Sequence, residues 1–174
     1  MNREKAYTKM FREKIEARGW IYKKSTRDED MYDHVDCHVS VIDNGRIVRQ
    51  LKVELKGKKY TSRGNEGNPQ EECQYIEFMN VRGDKGWLFG EAHYIAIEGD
   101  KKFYFIERTD LIKFSEELFK VNLNQSIEKI EEDLSMHIWS SRPTIHKIYR
   151  RQGRQDLVTQ ISIEEVKSLA KFTI

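Results

Sequence analysis

Cysteine is scarce in this chain of 174 residues. Two thiols, Cys37 and Cys73, allow at most one intramolecular disulfide and cannot build a four-thiolate zinc site, which fits a reducing compartment and points to the cytosol. Long apolar runs are missing as well. No stretch approaches the ~20 residues that span a bilayer, and the charged opening Met1-Asn2-Arg3-Glu4-Lys5 is not followed by the apolar core of a signal peptide. Neither membrane insertion nor secretion is expected. An excess of one charge is absent too: 31 Lys and Arg face 29 Asp and Glu, so any basic surface has to arise from clustering. There are no internal repeats and no low-complexity segments. What the sequence does hold, at 34% charged and 38% hydrophobic residues, is enough apolar chain for one globular domain with a core.

Hydrophobic periodicity predicts the elements. Tyr7, Met10, Phe11 and Ile15 form one stripe at helical spacing over residues 2 to 18, and Gly19 stands where that helix stops. From 34 to 42 the period changes to two, with Val35, Cys37, Val39 and Val41 inward and His34, Asp36, His38 and Ser40 outward. After Asp43-Asn44-Gly45 the alternation returns, Ile47, Leu51, Val53 and Leu55 facing in and Gln50, Lys52, Glu54 and Lys56 facing out, with Val48 and Arg49 breaking it, so the two strands are expected to pair as a hairpin. Gly57 to Pro69 reads as a mobile loop and 70 to 80 as a short helix. Around Trp87, three glycines suggest an ordered turn, with the indole as a packing anchor. A second hairpin is expected from Tyr94–Ile97 and Phe103–Ile106, then helices capped by Thr109 and Ser126, a strand at Leu157–Ile161, and a last helix opened by Ser162 and Glu165 as a capping box.

The chemistry concentrates on the first hairpin. A three-residue turn pairs Ile42 with Arg46 and hence Asp36 with Lys52, which sets Asp36 diagonal to Glu54 on one face, roughly 7 to 8 Å between α-carbons. Two hard carboxylate ligands with open positions suit Mg²⁺ or Mn²⁺, which accept waters and phosphate oxygens. Lys56, on the same side, can steady a metal-activated hydroxide or the charge of a phosphoryl transition state. Asp33 competes with Asp36 but precedes the alternation and reads as a turn residue. Cys37 sits among the inward valines, which argues against a thiol nucleophile.

An N-terminal helix, the strand opening Asp33-His34-Val35-Asp36, a hairpin and then Val53-Glu54-Leu55-Lys56 resemble the PD-(D/E)XK, or restriction-endonuclease-like, nucleases. Over roughly residues 2 to 110 this resemblance implies an α/β fold, a mixed sheet flanked by helices, and Mg²⁺-dependent phosphodiester hydrolysis. A helical, basic extension follows over 111–174. Asp36 and Glu54 would be metal ligands, with the Leu55 carbonyl completing the shell and Lys56 near the attacking water. Val35 stands where the motif has proline. Gln74-Tyr75 is similar to a glutamine–tyrosine pair that some members carry on the next helix, which would bring Gln74 to water or substrate; Glu13 and Glu16 match a first-helix glutamate less closely.

Two basic stretches point to nucleic acid, DNA in the first instance. One, Lys52, Lys56, Lys58, Lys59 and Arg63, lies beside the proposed site, and the other, Arg142 to Arg154, carries Lys147, Arg150 and Arg151 with no acid among them. A homodimer would supply two sites for the two strands of a duplex. Rival readings are a nucleic-acid-binding protein on the same fold that does not cut and a protein-interaction module whose charged hairpin binds no metal.

Overall fold

The computed structural model describes residues 4–61, 70–140 and 144–174. In chain order its elements are α1 (Ala6–Ala17), β1 (Ile21–Lys24), a π-helical turn (Glu29–Asp33), β2 (Cys37–Asp43), β3 (Arg46–Lys56), β4 (Lys59–Tyr60), β5 (Glu72–Met79), a 3₁₀ turn (Trp87–Phe89), β6 (Tyr94–Glu98) and β7 (Phe103–Glu107). They continue as α2 (Arg108–Phe119), α3 (Ile127–Ser135), β8 (Ile138–Ser140), β9 (Ile148–Tyr149), β10 (Leu157–Ser162), α4 (Ile163–Leu169) and β11 (Phe172–Thr173). The protein is mixed α/β, with one sheet ordered β1-β2-β3-β6-β7-β11 and another ordered β4-β5-β10-β9-β8. Each sheet belongs to its own compact unit, the first formed by Met1–Gly57, Gly90–Arg108 and Ala170–Ile174, the second by Lys58–Phe89 and Thr109–Leu169. No helix among the described residues is long and apolar enough to cross a membrane.

In the first unit, Phe11 and Ile15 are the fully buried members of the α1 stripe, and they meet the inward residues Cys37, Val39, Leu51, Val53 and Leu55 in one core. Phe11 stacks edge-on against Phe103 at 5.1 Å between ring centroids. The helix ends at Gly19, whose φ of +75° lies in the left-handed region that glycine adopts without a Cβ clash. The hairpin turn is shorter than expected. Asn44 (φ +50°) and Gly45 (φ +73°) form a two-residue turn in which Asp43 pairs with Arg46, the Asn-Gly signature of a tight hairpin. A bulge then places Val41 opposite Arg49, and the ladder runs Ser40–Gln50, His38–Lys52 and Cys37–Val53. The expected faces survive, because turn and bulge together move the register by an even number of residues. The partner changes: the ladder ends at Cys37–Val53, and Asp36, just before it, bonds through its amide to the Val53 carbonyl instead of pairing with Lys52. Only the inner end of β3 continues the sheet, pairing Val53–Lys56 in parallel with Tyr94–Ile97 of β6. The second hairpin forms as the sequence predicts, from β6 and β7.

In the second unit, residues 70 to 80 do not form a helix. They contain β5, antiparallel to β10, with Ile161 opposite Gln74 and Thr159 opposite Ile76. The pattern misleads because buried residues occur on both sides of the strand, Cys73 and Gln74 in succession and then Ile76, Phe78 and Met79. Within the expected loop from Gly57, Lys59–Tyr60 forms β4; residues 62–69, which include Arg63 and Pro69, lie outside the described residues, as does Arg142. Trp87 is buried, as its reading as an anchor requires. Residues 111–174 are no separate appendage: β10 lies inside the second sheet and β11 closes the first by pairing with β7. Two of the three predicted caps are present; Thr109 instead falls inside α2, which already begins at Arg108. Ser126 Oγ accepts from the Lys129 amide, while Ser162 Oγ accepts from the Glu165 amide and Glu165 Oε1 accepts from the Ser162 amide at 2.9 Å.

Candidate functional site

Asp36 is held just before β2 by its backbone, which donates to the Val53 carbonyl at 2.9 Å and accepts from the Ser25 amide at 3.1 Å. Its Oδ2 accepts from the Leu55 amide at 2.6 Å, so the carboxyl is pinned against β3 beside Glu54. Lys56 donates to Glu54 Oε1 at 2.6 Å. These three residues, expected together from the hairpin pattern, are together. Leu55 contributes a buried side chain to the core and its amide to Asp36.

Glu54 departs from its expected solvated setting. It lies on the polar face of β3 yet is only 5% exposed. Its Oε2 is buried without a donor among the described residues. Burial pushes the carboxyl up to about 8; the Lys56 charge and hydrogen bond oppose this, while the charge and contact of Asp36 add to it. The Asp36–Glu54 contact joins two acceptors. Such a contact needs a shared proton, or a cation in its place, because two carboxylates offer no donor to each other.

A third carboxyl joins this pair. Asp30, on the π-helical turn, is raised by desolvation where its carboxyl reaches Asp36, then by the Asp36 charge and hydrogen bond, with Lys5 and Lys56 pulling the other way. Asp30 as a whole is exposed. Lys5 comes from the residue before α1 and donates to the Tyr7 hydroxyl at 3.3 Å. Tyr7 in turn lies over Gly57, where a Cβ would stand 2.7 Å from its ring, so glycine is what lets the helix start close to the end of β3. Periodicity signals neither residue: Asp30 falls outside the amphipathic segments, and Lys5 lies within the predicted first helix but off its apolar stripe.

The donor set fits a hard divalent cation. Among the described residues no three His, Cys, Asp or Glu side chains form a ready-made cage. The carboxyls meet pairwise, Asp30 with Asp36 and Asp36 with Glu54. Mg²⁺ commonly binds through one or two carboxylates and keeps its remaining waters. The orphaned Glu54 oxygen and the unfavourable ionisation of Glu54 are what a bound cation would relieve.

Other candidates lie elsewhere. Cys37 is fully buried and burial holds its thiol far above the ordinary range, which leaves it inert as a nucleophile. Asp33 ends the π-helical turn, its carbonyl accepting from the Glu91 amide at 2.7 Å. Glu13 and Glu16 point from α1 into ion pairs with Lys9 and Arg12. Gln74 belongs to the second unit, on a strand and not on a helix; it is buried, with Oε1 accepting from the Tyr75 amide at 3.0 Å. Lys58 and Lys59 also lie in the second unit, Lys59 exposed on β4.

Arg150 and Arg151 are engaged by acids beyond their own segment. Arg150 pairs with Glu131 of α3 at 3.1 Å, and Arg151 Nε donates to Asp156 Oδ2 at 2.8 Å. Asp156 is almost fully buried and its Oδ1 has no donor among the described residues, so Arg151 is its main compensation. Arg151→Ala is expected to destabilise the protein by about 1–3 kcal/mol, the usual cost of a buried polar group left unpaired. Adding Asp156→Asn should recover part of that loss in urea denaturation; no recovery would show that the pair is not coupled.

No protein-family model matches the chain, and no curated protein and no solved structure matches it.

Proposed function

We propose that the chain is a Mg²⁺- or Mn²⁺-dependent nuclease of restriction-endonuclease-like architecture that hydrolyses phosphodiester bonds in DNA. The observation that carries this reading is the Asp36 carboxylate pinned on the Leu55 amide at 2.6 Å, beside the buried Glu54 whose Oε1 accepts from Lys56 Nζ at 2.6 Å. Its setting supports it: a helix, an aspartate at the entry to a hairpin, and Glu-X-Lys on the next strand, in a mixed sheet. Asp36 and Glu54 would hold the cation, with the Leu55 carbonyl as a further oxygen and Asp30 as a nearby carboxyl. When bound, the cation polarises a phosphoryl oxygen and lowers the pKa of a bound water. Asp36 orients its carboxylate through the Leu55 amide. Glu54 would be the carboxyl that exchanges its proton for the cation. Lys56 keeps a fixed positive charge beside Glu54, where it orients the nucleophile and offsets charge developing on the phosphoryl group.

The test is incubation of purified protein with linear, circular, single-stranded and branched DNA, with Mg²⁺ or with EDTA. Cleavage of at least one form that stops in EDTA supports the reading. Salt-dependent DNA binding without cleavage of any form would replace it with a non-cleaving binding protein, and neither binding nor cleavage would leave an interaction module.

A further inference from the structure

The geometry points to a phosphate-binding row beside the acid pair, formed by Lys23, His38, Lys52 and His93, that holds the nucleic-acid strand on the side of the scissile phosphate toward the hairpin tip. This inference rests on the nuclease reading and names where its substrate runs.

The row follows from the register. Lys23 of β1 pairs with His38 of β2, and His38 pairs with Lys52 of β3. Lys52 is one step before the Val53–Tyr94 pair, and its amide and carbonyl bond to His93, the residue before β6. Residues directly opposite one another share a face of the sheet. Four neighbouring strands or strand entries therefore place a basic or imidazole side chain at one level. That level is two residues from Glu54 on β3, about 7 Å along the strand, and two residues from Asp36, which stands just before β2. It lies on the same face as the acid pair, because the strand period is two.

The face opens outward along the hairpin. Glu54 is buried, Lys52 and His38 are half-buried, and Gln50, one level further, is exposed. Lys23 and His93 at the two ends of the row are exposed as well. A polymer lying across this face thus meets the row before reaching the acids.

The side chains are arranged for an anion. Lys56 is taken up by Glu54, whereas Lys52 is in no ion pair among the described residues. Glu29 reaches the row at His38, and its carboxylate is committed: Oε2 accepts from the Thr26 amide at 2.7 Å and Oε1 meets His38 Nε2 at 3.0 Å. His93 Nδ1 accepts from the Lys52 amide at 3.0 Å, so the neutral ring carries its proton on Nε2 as a donor. Its pKa is lowered, first by shielding of the ring where it meets β3 and then by the charges of Lys52, Arg49, Arg108 and His38. Around Lys52 and His93 the surroundings are accordingly cationic, while Glu29 holds the His38 ring, so the phosphate is received at the Lys52–His93 end of the row.

The experiment uses the full chain, a fluorescein-labelled 30-base-pair DNA duplex, and the variants Lys52→Ala, Lys52→Gln and Lys23→Ala/Lys52→Ala. Binding is followed in EDTA across a salt series, and cleavage kinetics in Mg²⁺. Removing one cation from a phosphate should flatten the slope of log affinity against log salt by about 0.9. The single variants should therefore show one such increment and the double variant up to about twice that, with KM raised roughly tenfold and the effect carried by KM more than by kcat. Unchanged slopes and KM in variants of an active wild type would overturn the row while leaving the nuclease reading intact. A wild-type protein that neither binds nor cuts DNA would overturn both.

Discussion

Replacing Glu54 by glutamine is expected to abolish metal-dependent cleavage of DNA and, in the same protein, to stabilise the metal-free fold at alkaline pH. Both effects have one origin. Glu54 is buried, one of its oxygens has no donor among the described residues, and its other neighbour on that side is the Asp36 carboxyl. An amide of the same shape removes the charge that the cation needs and supplies a donor to Asp36. Glutamine is the better probe than alanine here, because truncating a side chain this buried would also open a cavity. Lys56→Ala should lower kcat by about 10²- to 10³-fold, the effect of removing one preorganised electrostatic partner from a site. Near-wild-type turnover in either variant, measured on a DNA form the wild type cleaves, would remove that residue from the chemistry.

The second large effect is on stability against pH. A carboxyl whose folded pKa lies above its unfolded value favours the fold while protonated in both states. That contribution is present below the ordinary carboxylate value of 4.5 and is lost as pH rises through about 8. Metal-free wild-type protein should therefore lose stability between about pH 5 and pH 9, by up to roughly 5 kcal/mol if the whole shift is realised. In a chain of this length that is a fall in Tm on the order of 10 °C. Glu54→Gln should flatten this limb of the curve, and Mn²⁺ should stabilise the wild type more at pH 8 than at pH 5, since cation and proton compete for the same carboxyls. Parallel wild-type and Glu54→Gln curves across this range would show that Glu54 ionises in the fold without cost.

The sequence is legible where one face of an element is buried and the other is not. α1, the first hairpin and the Ser162–Glu165 cap follow from such patterns and are found where expected. The partner of Asp36 is not legible, because a two-residue turn and a bulge at Val48 replace the three-residue turn without altering the alternation that both produce. β5 escapes the pattern for a different reason: Cys73 and Gln74 are both buried, so the strand carries no period of two at its start. Asp30 sits in the acid-rich stretch before β2, on a π-helical turn without apolar periodicity, and only the fold brings it to Asp36. Counting charges along 142–154 likewise overlooks Glu131 and Asp156, which engage Arg150 and Arg151 from outside that window.

The central claim is that the contact between Asp36 and Glu54 is a place for a divalent cation, and calorimetric titration of the metal-free protein with Mn²⁺ at pH 8 tests it most directly. The account predicts saturable binding to the wild type, release of protons on binding in buffers of different ionisation enthalpy, and marked weakening in both Asp36→Asn and Glu54→Gln. Equal Mn²⁺ affinity in the wild type and both variants, or no binding to any of them, would contradict it.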